Sequence, residues 1–146
     1  MSEKPPVPPG GRERAQPESF RASALQASFT VNDIQKSLAW YRDILGFVVD
    51  EKYEREGRLQ AVALKAGAVR VLIGQDDGAK GKDRVKGQGM SLQFTTTQDI
   101  DALAAQVEKR GGKLDAKPAD QYGMRSFSVK DPDGFRFVIS SPRVRT

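Results

Sequence analysis

The chain contains no cysteine and no histidine. Without cysteine there is no disulfide framework, no thiolate metal site and no thiol nucleophile. Without histidine there is no imidazole ligand and no ordinary general base titrating near neutral pH. Long apolar runs are absent too: none approaches the roughly 20 residues a helix needs to cross a bilayer. The first 19 residues carry five prolines and two glycines with almost nothing apolar, so they have neither the make-up of a signal peptide nor side chains to bury. A soluble, cytoplasmic protein with no membrane partner is therefore expected, and residues 1–24 are expected to form a flexible, Pro-rich N-terminal tail.

Lys and Arg number 24 against 19 acids, giving a net charge of +5 and an isoelectric point near 9.6. That excess would favour anionic partners, but the basic residues are scattered among acids rather than gathered on one periodic face, which reads as a solvated surface and not as a nucleic-acid footprint. With 146 residues, 38% of them hydrophobic, the chain is one domain by length with a modest core.

What is present is a repeat. The stretch VNDIQKSLAWYRDILG (Val31 to Gly46) returns in fainter form as TQDIDALAAQVEKRGG (Thr97 to Gly112). In both, an Asp-Ile pair (Asp33-Ile34, Asp99-Ile100) follows an alternating run, and a glycine (Gly46, Gly112) lies 13 residues beyond the Asp. The spacing predicts one helix in each copy, with Asn32 or Asp33 and Gln98 or Asp99 capping the first turn and the glycine supplying a left-handed terminator. Two half-size modules must then share one core. Around the first helix, alternation predicts strands over residues 25–31, 47–54, 59–65 and 69–75, with turns at Glu56-Gly57 and Ala66-Gly67. Around the second it predicts strands over 91–96, a short one beginning near Lys113, then 124–130 and 135–140, the last two joined by the turn Asp131-Pro132-Asp133-Gly134. The expected fold is α+β: two βαβββ modules, 25–75 and 90–141, within a domain spanning 25–142, forming a curved mixed sheet around a cleft with helices outside. Trp40 and Tyr41 sit on the helix that covers the first sheet and are expected to be packing residues.

Every strand has one apolar side for its helix and an opposite side that is mixed or polar, including Gln26, Ser28, Arg70, Gln93, Ser126 and Arg136. Two arginines and several hydroxyls make a poor dry interface, so this side is expected to line a wet, ligand-binding cleft, with Arg70 and Arg136 on equivalent strands.

The stretch VNDIQKSLAWYRDILGF resembles the signature of the vicinal oxygen chelate superfamily, which includes glyoxalase I, extradiol dioxygenases and the fosfomycin- and bleomycin-resistance proteins. The Asp-Pro-Asp-Gly turn is similar to its C-terminal hallmark, and the resemblance covers about Leu25 to Ser141. It implies the duplicated βαβββ fold, clefts built within one chain or across a homodimer, and, in the metal-dependent members, four strand positions that supply His, Gln or Glu. Carried over by spacing, those positions fall at Gln26, near Leu72, within Met90 to Leu92, and at Val138. The last three offer no side chain for a hard divalent cation, and one amide is not a metal site. Gln26 then reads as a hydrogen-bonding cleft residue. The expectation is a metal-free, cofactor-free small-molecule-binding protein of the glyoxalase/bleomycin-resistance type, a homodimer, taking a polar or anionic ligand. The alternative is a glyoxalase-type lyase, isomerase or dioxygenase with a non-standard metal site, for which Asp76 and Asp77 are the candidate donors; whether there is catalysis, and by which residues, stays open.

Overall fold

The computed structural model describes residues 20–81 and 84–142, so most of the expected tail lies outside the described residues. Phe20 and Leu25, at its near end, are almost wholly exposed. The first module runs β1 (Ala27–Val31), α1 (Ile34–Ala39) continuing as a π-helical turn (Trp40–Ile44), β2 (Val48–Arg55), β3 (Arg58–Ala66) and β4 (Val69–Gln75). The second runs β5 (Ser91–Thr95), α2 (Ile100–Lys109), β6 (Leu114–Gln121), β7 (Met124–Lys130) and β8 (Arg136–Pro142). Each forms a four-stranded sheet, in the orders β1-β4-β3-β2 and β5-β8-β7-β6. In each the first strand pairs parallel to the last and the others are antiparallel. The duplicated α+β architecture is the expected one. None of its helices is long and apolar enough to cross a membrane among the described residues.

Both helix starts follow from the Asp predicted there. The Asp33 carboxylate accepts from the N–H groups of Gln35 and Lys36 at 3.1 and 3.2 Å, and that of Asp99 from Ala102 at 3.0 Å, satisfying donors that an isolated first turn leaves open. The ends differ from the reading. Gly46 does take a positive φ of 86°, but in the second copy it is Gly111 that does so, at 92°. Gly112 is needed for another reason: a Cβ there would lie 2.4 Å from Ile44 Cγ2 and 2.7 Å from Val107 Cγ1. The first helix also does not stay α-helical, since Leu45 N–H bonds back to Trp40 O at 3.2 Å. This one-residue widening lets the adjacent residues Trp40 and Tyr41 both reach Phe137 of the other module, with ring centroids 6.2 and 5.6 Å away. Both are packing residues, as expected; Tyr41 is fully buried.

Several strand bounds also shift, and the last strand runs Arg136–Pro142 and not 135–140. The first strand begins at Ala27 and not at residue 25, and the strand expected to be short is eight residues long. It contains Pro118, which is tolerated because β6 is an edge strand and the register slips between Ala116 and Ala119.

The helix-facing sides of the two sheets meet in one core. Phe29 of β1 lies 4.7 Å from Phe135 and 5.8 Å from Phe137, and Phe47 lies 6.2 Å from Phe94. Such aromatic pairs add about 0.5–1.5 kcal/mol each beyond the area they bury. The signature helix and the Asp-Pro-Asp-Gly turn hold this arrangement together. Tyr41 Oη donates to Asp131 Oδ2 at 2.6 Å, and Asp131 Oδ1 accepts from the N–H groups of Asp133 and Phe135. Asp133 in turn accepts from Asn32 N–H at 3.1 Å and from Ser37 Oγ at 3.3 Å. The two stretches that carry the family resemblance are thus one structural latch between modules.

Described residues on both sides of the link between the modules are held beside the latch. Gln75 accepts from Ile34 N–H at 2.9 Å and donates to Asn32 O at 2.7 Å. Asp76 accepts from Gly78 N–H at 2.8 Å and pairs with Lys86 at 3.0 Å and Arg84 at 3.3 Å, while Lys86 also reaches Asn32 Oδ1. Led by the Gly78 bond and then by Lys86, these contacts hold the Asp76 carboxyl down at about 2. A depressed folded value means that stability from this group is present above the usual carboxylate range and is lost as pH falls from about 4 towards 2. Asp76→Asn is accordingly expected to be less stable than wild type at neutral pH and to lose that deficit below pH 3, as read by denaturant melts across pH; a deficit independent of pH would show that the ion pairs contribute nothing.

Candidate functional site

Side chains alternate across a strand, so the residues next to the core residues of β4 and β8 point the other way. Val71, Ile73 and Phe137 are buried in the shared core; Arg70 and Leu72, and Arg136 and Val138, therefore lie on the outer faces of their sheets. The six expected cleft residues separate into two groups on these two faces. Gln26, Ser28 and Arg70 share the first, where Arg70 Nη1 donates to Gln26 Oε1 at 3.4 Å and Ser28 lies opposite Leu72 in register. Gln93, Ser126 and Arg136 share the second, with Gln93 beside Val138 and Ser126 beside Ser140. Within one chain the two arginines face away from each other across the common core.

Each face carries a cluster that the sequence reading did not include, and the two clusters are copies. In the first sheet Arg70 and Lys65, paired in register, both reach Asp50: Arg70 Nε lies 3.1 Å and Lys65 Nζ 3.3 Å from its carboxylate. In the second sheet Arg136 and Lys130, again paired in register, both reach Asp115, at 3.2 and 3.7 Å. Asp50 and Asp115 are the extra residues at register shifts between Val49 and Glu51 and between Leu114 and Ala116. A β-bulge re-aims the side chain it inserts, and here it turns a carboxylate onto the cationic face.

The clusters differ in charge. On the first face Glu51 Oε2 lies 3.8 Å from Arg70 and accepts from Tyr53 Oη at 2.9 Å, so two cations meet two carboxylates. Arg70 Nε, although near Asp50, has no well-directed hydrogen bond of its own. On the second face, among the described ion pairs, Lys130 and Arg136 meet Asp115 alone. The Ser128 hydroxyl, 3.0 Å from Asp115, together with Lys130 and Arg136 holds that carboxyl below its usual range, so it stays ionised and the face keeps a surplus positive charge. Arg136 remains about half exposed, at 45%.

The positions that the resemblance assigns to metal ligands hold Gln26 against Arg70, and Leu72 and Val138 in mid-strand. The alternative donors are engaged otherwise: Asp77 accepts from Ala79 N–H at 2.9 Å, and Asp76 is occupied by two cationic side chains and a backbone N–H. A carboxylate neutralised by Lys and Arg is a poor partner for a divalent cation. Among the described residues no group of three or more acidic side chains comes together in a ligating arrangement. A separate cavity of about 780 Å³ opens on the core side, where the β3–β4 turn meets α2.

The missed residues Asp50, Lys65, Asp115 and Lys130 had one signal in the sequence. Asp50 to Asp115 and Lys65 to Lys130 are both spaced by 65 residues, one fewer than Asp33 to Asp99 and Arg70 to Arg136, so aligning the two modules strand by strand brings them into register.

Comparison with known proteins agrees with this architecture. The family model described as Glyoxalase/Bleomycin resistance protein/Dioxygenase superfamily matches residues 23–139. Among solved structures, TnmS3, an antibiotic binding protein from Streptomyces sp. CB03234, superposes with a TM-score of 0.68 at 18% identity, covering 86% of this chain and 100% of its own. A glyoxalase/bleomycin resistance protein/dioxygenase from Nocardioides gives 0.67 at 14% identity, covering 86% of each chain. An integron cassette protein from Vibrio cholerae gives 0.65 at 23% identity, covering 85% and 98%. No curated protein matches. At these identities the solved structures speak for the fold, and the family match covers most of the chain: the protein belongs to the glyoxalase/bleomycin resistance protein/dioxygenase superfamily.

Proposed function

We propose that this protein binds a small polar or anionic molecule without a metal ion, in clefts formed when two copies associate so that the outer face of the first sheet of one meets the outer face of the second sheet of the other. The observation that carries the reading is the duplicated Arg-Lys-Asp cluster. Long basic side chains held by a bulged carboxylate on a solvent-facing sheet are ordered in advance, and ordered guanidinium groups lose little on gripping an oxyanion. The back-to-back arrangement of the sheets supports a cleft across two chains, because in one chain Gln26, Ser28 and Arg70 cannot face Gln93, Ser126 and Arg136. That TnmS3, of similar fold, is an antibiotic binding protein supports the small-molecule reading.

The surplus charge on the second face makes Arg136 the stronger anion contact. Small carboxylates and phosphate esters are to be screened by thermal shift, and hits titrated against wild type, Arg70→Met and Arg136→Met, with oligomeric state followed by light scattering. Expected are a dimer, at least one stabilising anion, a loss of about tenfold in affinity in Arg136→Met and a smaller loss in Arg70→Met. A wild type that no anion stabilises, or hits that bind both variants as well as wild type, would remove the reading; a monomer that still binds would remove its dimer clause.

A further inference from the structure

The two modules meet at two junctions related by the internal repeat, and the repeat shows what each could contain. Counting from the capping residues Asp33 and Asp99, Ser37 corresponds to Leu103, Trp40 to Gln106, Tyr41 to Val107 and Ile44 to Arg110. The helix ends confirm the pairing by reciprocal contact. Ile44 lies against Gly112, and the Arg110 guanidinium lies against Gly46, 3.0 Å from where a Cβ would stand; two similar modules related by a twofold make such exchanged contacts.

The first junction is full. Trp40 and Tyr41 pack on Phe137, and the Asp131–Gly134 turn inserts Asp131 against Tyr41 and Asp133 against Ser37. At the second, the corresponding turn is Ala66-Gly67-Ala68, with no side chain long enough to insert, and the two rings are replaced by Gln106 and Val107. The result is the cavity of about 780 Å³, within the size range of small-molecule sites. Its floor includes Phe47, Phe94 and Phe127, and its described lining contains one charged residue, Arg110, and no acid. None of the described ion pairs uses Arg110.

We propose that this junction is a second binding site, distinct from the outer sheet faces, that takes an aromatic carboxylate: the ring occupies the space that Trp40 and Tyr41 fill in the first junction and the carboxylate pairs with Arg110. A largely apolar chamber whose described lining carries a single charge, a guanidinium, selects a ligand with one anionic end and an apolar body.

The probe is 2-naphthoate, compared with the neutral 2-naphthamide by isothermal titration and by NMR on the full chain. Expected is saturable binding of 2-naphthoate with a Kd below about 1 mM, weaker by about tenfold for the amide and for Arg110→Met. Ala68→Trp, at an exposed rim position where the fold has no need of alanine, is expected to abolish binding at unchanged melting temperature. In Arg70→Met and Arg136→Met the Arg110-dependent part of the probe binding is expected to persist, which separates this site from the outer faces. No saturable binding, equal binding by Arg110→Met, or loss in Arg136→Met instead would overturn the assignment.

Discussion

Asp131→Ala is expected to destabilise the fold by about 3–5 kcal/mol, because it leaves three donors without an acceptor at about 1–3 kcal/mol each. Asp131 is 5% exposed, and its loss leaves the Tyr41 hydroxyl and the N–H groups of Asp133 and Phe135 without their acceptor. Tyr41→Phe is milder, about 1–3 kcal/mol, because the carboxylate keeps two of its three donors. The pair also sets a pH dependence. Burial pushes the Asp131 carboxyl above its usual range, against the lowering effect of the Tyr41 hydroxyl and the two N–H groups, and burial with the neighbouring carboxylate pushes the Tyr41 phenol up as well. For a carboxyl raised by folding, its contribution is complete below the unfolded value near 4 and declines as pH rises through the folded one. Asp131→Asn, which keeps the shape and an acceptor, is therefore expected to compare better with wild type at pH 7 than at pH 4. Urea unfolding of the variants at both pH values measures this; a cost below about 1 kcal/mol for Asp131→Ala would mean that the latch does not hold the modules.

Much of this fold was legible because its signals are local. Alternation marked the strands, the Asp33 and Asp99 caps marked the helix starts, and the repeat declared two modules. The features that escaped are those that depend on which module touches which. Nothing in the run Trp40–Ile44 announces a π-helical turn; it follows from two rings having to reach Phe137, far along the chain. The strand beginning near Lys113 was expected to be short, and only the position of β6 at a sheet edge allows it to run through Pro118 for eight residues. Gly112 looked like a terminator and is a contact point for Ile44.

The candidate site divides in the same way. That Gln26, Ser28, Arg70, Gln93, Ser126 and Arg136 lie on non-core faces was readable from period-two alternation. That the two faces turn away from each other was not, since alternation says which residues share a side and nothing about how two sheets stack. Asp50 and Asp115 were hidden for a narrower reason: each sits at a bulge, where alternation fails for one residue, so a strict in-and-out count gives it no defined side. The repeat spacing is the one cue that survives such a slip.

Gly112→Ala is expected to cost about 1–3 kcal/mol, the range for forcing a methyl into a filled core. The added Cβ would stand 2.4 Å from Ile44 Cγ2, 2.7 Å from Val107 Cγ1 and 3.0 Å from Val107 O, and the last is backbone that cannot swing aside. Gly112 is not among the glycines of positive φ, so the whole cost is packing. Its counterpart, Gly46→Ala, meets only the flexible tip of Arg110 but must hold a φ of 86°, which costs an L residue about 1–2 kcal/mol by backbone sterics alone. The two glycines are equivalent by position and essential for different reasons, and a second substitution separates them. Trimming Ile44 to alanine removes the atom nearest the new methyl, so Gly112→Ala/Ile44→Ala is expected to fall short of the summed single costs by about 0.5–3 kcal/mol. Gly46→Ala/Arg110→Ala is expected to be additive, because backbone strain is not relieved by shortening a neighbour. Chemical denaturation of the four single and two double variants measures both couplings; an additive first pair would mean that the helix ends do not cross at Gly112 as described.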